Sequence, residues 1–367
     1  MTGHHGGATA LESLGHPAAT LAHVDSALDA VCTSLEGGWA GRSPEAMDVL
    51  TQDLPAMLRT RLLPPMGKRL RPVMCHWGWV ASGGVEDGGG HEQMVATCAA
   101  LELLHLFALV HDDIMDRSDA RRGQPAAHVE AQRDHHRAGA LGDGVLFGAS
   151  VAMLLGDLAL SEAGHLVAGA GMDVRAIWRE MLRELVHGQL LDITGAAARR
   201  RDVAFGRRVA RLKSGAYTIQ RPLQLGAAAA GAGPAVAAAL SAYGEHLGEA
   251  FALRDDALGV WGDPRVTGKP SGDDLLSGKA TVILAVGRQR LPEDESERLL
   301  GPHAVVTPAE VPRLQQLLVD HGVLDEIERR IECQCRSAIE ALDTAPLDPS
   351  GRAGLAEMVD VVGWRSA

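Results

Sequence analysis

Aromatic residues make up only 3% of this 367-residue chain, against 46% hydrophobic residues in all. Its interior must therefore be filled by aliphatic side chains, chiefly Ala and Leu, and not by rings. The β-branched runs expected of sheets are also scarce, and no stretch alternates convincingly as a strand. Ala and Leu are the strongest helix formers, so the composition favours helix packed on helix. Basic residues are the minority, 35 Lys and Arg against 47 Asp and Glu, for a net charge of −12. That balance excludes a general nucleic-acid binder. Cysteines are few and odd in number: Cys32, Cys75, Cys98, Cys333 and Cys335. None has metal-ligand spacing, and Cys333 and Cys335 point apart on a helix, so they read as free thiols in a reducing cytoplasm. The N-terminus lacks a basic region followed by an apolar core, so it does not read as a signal peptide. The longest uncharged run, Pro222 to Gly244, is mostly Ala and is broken by Pro234 and glycines. It suits the inside of a bundle better than a membrane, and no stable membrane insertion is expected.

What the chain does contain is helical periodicity. It runs from Ala18 to Leu35, Pro44 to Leu63, Lys68 to Ser82, Glu92 to Met115, Gly144 to Ala168 and Asp173 to Thr194. It continues from Asp202 to Gly231, Ala235 to Val260, Lys279 to Arg290, Pro308 to Asp320 and Leu324 to Leu342. Breaks fall at Ser82 to Gly90, at Gly262 to Asp274 and at L-D-P-S-G near the end, all rich in Gly, Pro or Asp. No linker divides the chain, which is long enough to bury a large core. We expect a disordered tail over residues 1–17 and one all-α domain, an antiparallel helical bundle, over 18–367.

The chemistry is concentrated at V-H-D-D-I-M-D-R-S-D-A-R-R-G, Val110 to Gly123. Asp112, Asp113 and Asp116 follow a long apolar helix and fall within one arc of about 100° on its surface. Carboxylates crowded in this way repel one another unless a cation sits between them, and Mg2+ suits oxygen ligands shared with substrate phosphates. Arg121 and Arg122 supply guanidinium forks that grip phosphate oxygens. A second acidic cluster, R-D-D-A-L-G-V-W-G-D from Arg254 to Asp263, repeats the design. Other phosphate loops fail on spacing. Gly262 to Lys269 and Gly272 to Lys279 have five residues between the glycine and the Gly-Lys pair where a Walker A loop needs four, and neither H-E-x-x-H nor G-x-S-x-G occurs.

These stretches resemble the trans-isoprenyl diphosphate synthases, the polyprenyl synthetase family. The matches are M-G-K-R-L-R-P at Met66 to Pro72, the run from Glu102 to Pro125, H-G-Q-L-L-D at His187 to Asp192, K-S-G-A-Y at Lys213 to Tyr217, and Phe251 to Lys279. The resemblance implies a bundle around a deep apolar cavity, in a homodimer, with Mg2+ as cofactor and three ions per active site. It implies an Mg2+-dependent prenyltransferase that condenses isopentenyl diphosphate with an allylic diphosphate. By that resemblance Asp112, Asp116 and Asp255 would ligate Mg2+, with Asp113, Asp256 and Asp192 close by. Arg121, Lys213 and Lys269 would hold the allylic diphosphate, and Lys68, Arg71, His105 and Arg122 isopentenyl diphosphate. Gln189 and Ser214 would face the developing allylic cation.

The chain departs from the family pattern at Gly259, where a third Asp is usual, the next acid being Asp263, four positions further on. It departs again at Ala252, commonly Gln, and at Ala280, often basic. The resemblance implies that product length depends on what blocks the cavity below the first motif. Ala108 lies roughly 6 Å, Phe107 roughly 7 to 8 Å and Leu104 about 12 Å down the helix from Asp112. One aromatic there instead of two points to geranylgeranyl diphosphate, C20, with C15 and C25 as alternatives. A class I terpene cyclase would not need Lys68, Arg71 and His105. A non-catalytic synthase subunit would not need Arg121, Arg122, Lys213 and Lys269.

Overall fold

The computed structural model describes residues 15–40, 52–63, 67–86, 88–121, 123–263 and 271–365. In chain order its helices are α1 (Gly15–Ala40), α2 (Leu54–Leu62), α3 (Leu70–Ala81), α4 (Gly89–Met115), α5 (Ala127–Arg137), α6 (Gly144–Ala168), α7 (Met172–Ala197) and α8 (Val203–Ala210). A π-helix, Arg211–Gln220, runs straight into α9 (Arg221–Ala229). Then follow α10 (Pro234–Trp261), α11 (Asp273–Ser277), α12 (Val282–Arg290), α13 (Glu293–Leu300), α14 (Val311–Asp320), α15 (Val323–Ala341) and α16 (Pro349–Gly363).

The bundle is built around α4 and α10, the two long helices that end in the acidic motifs. Helix α4 packs along α6 and against α3, while α10 packs on α15 and on the π-helix. Leu101, Leu103 and Leu104 of α4 have no exposed surface, and each such burial contributes roughly 1.5–3 kcal/mol. Close crossings depend on missing side chains. A Cβ at Gly188 of α7 would fall 2.5 Å from the backbone nitrogen of Lys213. That contact lets α7 and the π-helix touch along the stretch that carries Gln189, Asp192 and Lys213.

Several expectations need correction. Helix α1 already begins at Gly15, so the expected tail is shorter at its inner end; residues 1–14 lie outside the described residues, as does most of the stretch before Leu54. A two-residue antiparallel pair, Ala120–Arg121 with Gln124–Pro125, closes the loop after the first motif. Helix α5 escapes the periodicity because its sequence is largely polar and its buried face is only Ala127, Ala131 and His135. The L-D-P-S-G break is a helix start: Asp348 caps α16 by accepting from the Ser350 and Gly351 amides, with Pro349 in the first turn. Helix α13 likewise starts behind Pro292 with three acids in its first turn. The cysteines are unpaired, with Cys333 exposed and Cys335 buried as their spacing requires.

Helices α4 and α6 are both long and apolar enough to cross a membrane by length and composition. Most of the apolar window of α4 is buried, but only 39% of that of α6. The remainder is an exposed apolar face, Val145, Leu146, Met153 and Leu154, and Val186, Leu190 and Ile193 of α7 are exposed as well.

Candidate active site

Helix α4 ends on Asp112, Asp113 and the capping residue Asp116. Three carboxylates at a helix C-terminus oppose the macrodipole as well as one another. Bases from other elements offset that cost. Lys213 Nζ from the π-helix donates to Asp112 Oδ1 at 3.0 Å and to Asp192 Oδ2 at 2.6 Å. Gln189 Nε2 also donates to Asp112 Oδ1, at 3.2 Å. Arg121, delivered by the small hairpin, grips Asp113 through Nε at 2.9 Å and lies 3.6 Å from Asp112 Oδ2. Lys279 Nζ donates to Asp116 Oδ2 at 2.8 Å. Burial alone would push the Asp112 pKa up, but Lys213, Lys279 and Arg121 hold it down at about 2.

Beside this cluster lies a second basic group. Residues Gly67 and Arg69 take left-handed backbone conformations, a strained one for arginine. The buried Arg69 guanidinium is fixed there by Glu102 at 2.8 Å and by Asp25. This turn leads from Lys68 into the first turn of α3, where Arg71 donates to Thr218 Oγ1 at 2.9 Å and lies over the Tyr217 ring at 4.1 Å. Tyr217 Oη and His105 Nδ1 are 2.6 Å apart, and burial raises the tyrosine pKa to about 12. The wider turn of the π-helix aims Lys213 at the acids and Tyr217 and Thr218 at this basic group; such segments recur at functional sites. The buried Nε atoms of Arg71 and Arg365 have no hydrogen-bond partner. Buried donors left unmatched are costly, and an anion would match them.

The second acidic motif closes the opposite side. Arg365 donates to Asp255 Oδ1 at 3.0 Å and stacks 4.1 Å over Phe251. Asp256 is raised well above the usual carboxylate range by burial, with Asp274, Asp255 and Asp192 adding to it. Among the described residues no three carboxylate, thiolate or imidazole side chains converge closely enough to hold a metal ion. The donors are nevertheless all carboxylate oxygens, and cationic side chains lie on Asp112, Asp116 and Asp255. That is the chemistry of a hard divalent ion.

The profile of the polyprenyl synthetase family matches residues 54–317. The chain is 32% identical over 306 residues to geranylfarnesyl diphosphate synthase of Aeropyrum pernix, covering 81% of this chain and 89% of that one. It is 33% identical over 290 residues to geranylgeranyl diphosphate synthase of Mycobacterium tuberculosis, 77% of each. The chain belongs to the polyprenyl synthetase family. It is a short-chain prenyl diphosphate synthase, a prenyltransferase. Among solved structures it is similar to geranylgeranyl pyrophosphate synthase of Corynebacterium glutamicum, crystallised with isoprenyl diphosphate and magnesium, with a TM-score of 0.84 and 35% identity over 95% of this chain and 98% of that one.

Within the synthase fold, Arg122 and Lys269 lie outside the described residues. Ser214 is half-buried beside Lys213. Phe107 and Ala108 are half-buried below the first motif, while Leu104 is fully buried. The Phe107 ring sits 4.6 Å from that of His111, whose Nε2 lies 3.1 Å from the Met153 carbonyl of α6. Phe107 therefore stands at the α4–α6 seam. Sequence reasoning missed Lys279, Asp274, Tyr217 and Arg365 as site residues. Lys279 and Tyr217 ended recognised stretches and could have been included. Arg365 carried no signal, since only the packing of α16 brings it to Phe251.

Proposed function

We propose that this synthase forms geranylgeranyl diphosphate, C20, with C15 and C25 products as the alternatives, and that it works as a homodimer in the cytoplasm. The observation that carries the reaction is the presence of a second basic group beside the one that pairs with the first acidic motif. Lys213 and Arg121 stand at the first motif, and Lys68, Arg71 and His105 stand beside it. Two diphosphates, one allylic and one isopentenyl, need such a pair of sites; a cyclase needs one.

In this reading Asp112, Asp116 and Asp255 hold Mg2+, three ions per site, which when bound would neutralise the carboxylates and the allylic diphosphate. Lys213 and Arg121, with Lys269, stabilise diphosphate as it leaves, as preorganised charges stabilise a transition state. Gln189, which donates its amide hydrogen to Asp112, would with Ser214 face the developing allylic cation. Lys68, Arg71, His105 and Arg122 orient isopentenyl diphosphate so that its double bond attacks the allylic cation. Tyr217 steadies Arg71 and His105. The proton lost from the new chain passes to the released diphosphate. The aliphatic lining keeps water from the cation. Dimerisation is supported by the exposed apolar residues of α6 and α7, since apolar patches of this kind mark interaction surfaces. The cytoplasmic reading is supported by the five free thiols.

The test is incubation with labelled isopentenyl diphosphate, Mg2+ and dimethylallyl, geranyl or farnesyl diphosphate in turn, with products identified by mass. A single C20 diphosphate supports the proposal. Hydrocarbon released without isopentenyl uptake would mean a cyclase, and no turnover a non-catalytic subunit. Phe107→Ala should lengthen the product and Ala108→Phe shorten it; unchanged products in both would refute the chain-length account.

A further inference from the structure

Helix α7 runs out into A-A-A-R-R-R-D, Ala196 to Asp202, whose three arginines take no part in the site described above. Its end is closed by the Arg199 and Arg200 amides, which donate to the Ala196 and Gly195 carbonyls at 3.1 and 3.0 Å. Arg199 takes the left-handed backbone at a φ of +50°, a position where glycine is usual and a side chain is strained. Facing it, Gly278 follows the five-residue helix α11 at a φ of +65°. A Cβ on Gly278 would land on Arg199 Nη1 and lie 3.4 Å from Arg201 Nη2. Two guanidinium groups thus converge over one glycine.

Their hydrogen bonds go to carbonyls. Arg199 Nη1 lies 3.5 Å from the Ser277 oxygen, and Arg201 Nη1 donates to Arg200 at 2.8 Å, to Gly278 at 3.3 Å and to Lys279 at 3.4 Å. Among the described residues neither guanidinium pairs with a carboxylate, since Asp202 is taken by Arg200 and Glu297 by Arg288. Arg201 Nε is buried and has no hydrogen-bond partner. Burial, with the charges of Arg199 and Arg288 beside it, lowers the Arg201 pKa to about 10. Carbonyls at the end of so short a helix satisfy part of the N–H groups but bring no net charge against two cations, and an unmatched buried donor is costly. Guanidinium forks that have no carboxylate suit the oxygens of a phosphate.

We propose that Arg199 and Arg201 form a second oxyanion site, apart from both acidic walls, that takes inorganic diphosphate or phosphate. The Lys279 carbonyl is one of its partners, and the ammonium of that lysine pairs with Asp116, so the site borders the reaction centre through one residue. Diphosphate is released in every condensation; its choice as ligand rests on the reaction proposed above, whereas the site rests on the two arginines alone.

The experiment titrates the full-length protein calorimetrically with inorganic diphosphate and, separately, with phosphate. Mg2+, isopentenyl diphosphate and an unreactive thiolo analogue of the allylic diphosphate fill the reaction centre beforehand. The wild type should still take up anion in a saturable step, and Arg199→Gly and Arg201→Lys should each weaken that step about tenfold or more. Glycine adopts the backbone of position 199 freely, so Arg199→Gly should fold and keep its turnover within about twofold of wild type. Saturable uptake of either anion supports the site, and the tighter of the two names its source. No saturable uptake by the wild type, or wild-type affinity in both variants, would overturn the proposal. An analogue that fails to bind in its own titration would instead overturn the reading of the reaction, and the difference between wild type and Arg199→Gly would still decide the site.

Discussion

The two acidic walls of this synthase have the same spacing and different construction. At the first, Asp112, Asp113 and Asp116 stand consecutively on one helix end, and each meets a base from another element: Lys213, Arg121 and Lys279. At the second, Asp255 meets an arginine from the end of the chain, Asp256 is pressed among other acids, and the third position is empty on its own helix. The first wall is nearly neutral as it stands, whereas the second has an excess of negative charge. Like charges held close in a buried cleft are tolerated where something positive is bound or where one of the groups keeps its proton. The difference suggests that the first wall positions substrate and metal together, and that the second depends more on the metal for its own stability.

This contrast is most directly broken by equal substitutions on both sides. Asp112→Asn, which removes the carboxylate shared by Lys213 and Gln189, should lower kcat about a thousandfold; Asp255→Asn, at a more exposed carboxylate, about a hundredfold. Steady-state kinetics at saturating Mg2+ would measure both. Equal losses would mean that the walls are functionally alike despite their construction.

A smaller effect is expected at Arg365. Its side chain is 8% exposed and lies on Asp255, and burial together with the Arg365 charge lowers the pKa of Lys68. It therefore touches the second acidic wall and acts by its charge on Lys68, which we propose binds isopentenyl diphosphate. Arg365→Met should free Asp255, lowering half-saturating Mg2+ about threefold, and should raise KM for isopentenyl diphosphate about tenfold through the lost charge. A variant with both values unchanged would reduce the contact to a resting arrangement of the chain end.

The asymmetry also explains what could be read in the sequence. The first wall was legible because its acids, its arginines and the apolar helix beneath them are contiguous, and Lys213 and Gln189 lie in stretches with their own pattern. The all-α class was legible because Ala, Leu and helical periodicity agree over most of the chain. The second wall was only half legible. Gly259 read as a departure from the spacing, and nothing in the sequence showed that the Asp274 carboxylate lies beside it, fifteen positions later. Arg365 depends on α16, a helix whose glycines and Asp-Pro start resemble a turn. The π-helix was missed because a single extra residue per turn leaves no mark on an apolar pattern as short as K-S-G-A-Y-T-I-Q.

The smallest expected effect concerns stability, and it has opposite signs at the two walls. The folded state holds the Asp112 carboxyl at about 2, below its ordinary 3.8. Its contribution is therefore present above pH 3.8 and lost as pH falls towards 2. Asp256 is displaced the other way. Its contribution is complete below the unfolded pKa and is lost as pH rises through the folded one, so above the ordinary carboxylate range this position costs stability. Asp256→Asn keeps the shape and removes the charge, and in EDTA at pH 8 it should raise the melting temperature by roughly 2–4 °C. The gain should shrink as the pH is lowered towards the ordinary carboxylate range. Asp112→Asn should instead lower the melting temperature at both values. A fall for Asp256→Asn at pH 8 would mean that Lys279 fully compensates the buried charge, and the second wall would then be as balanced as the first.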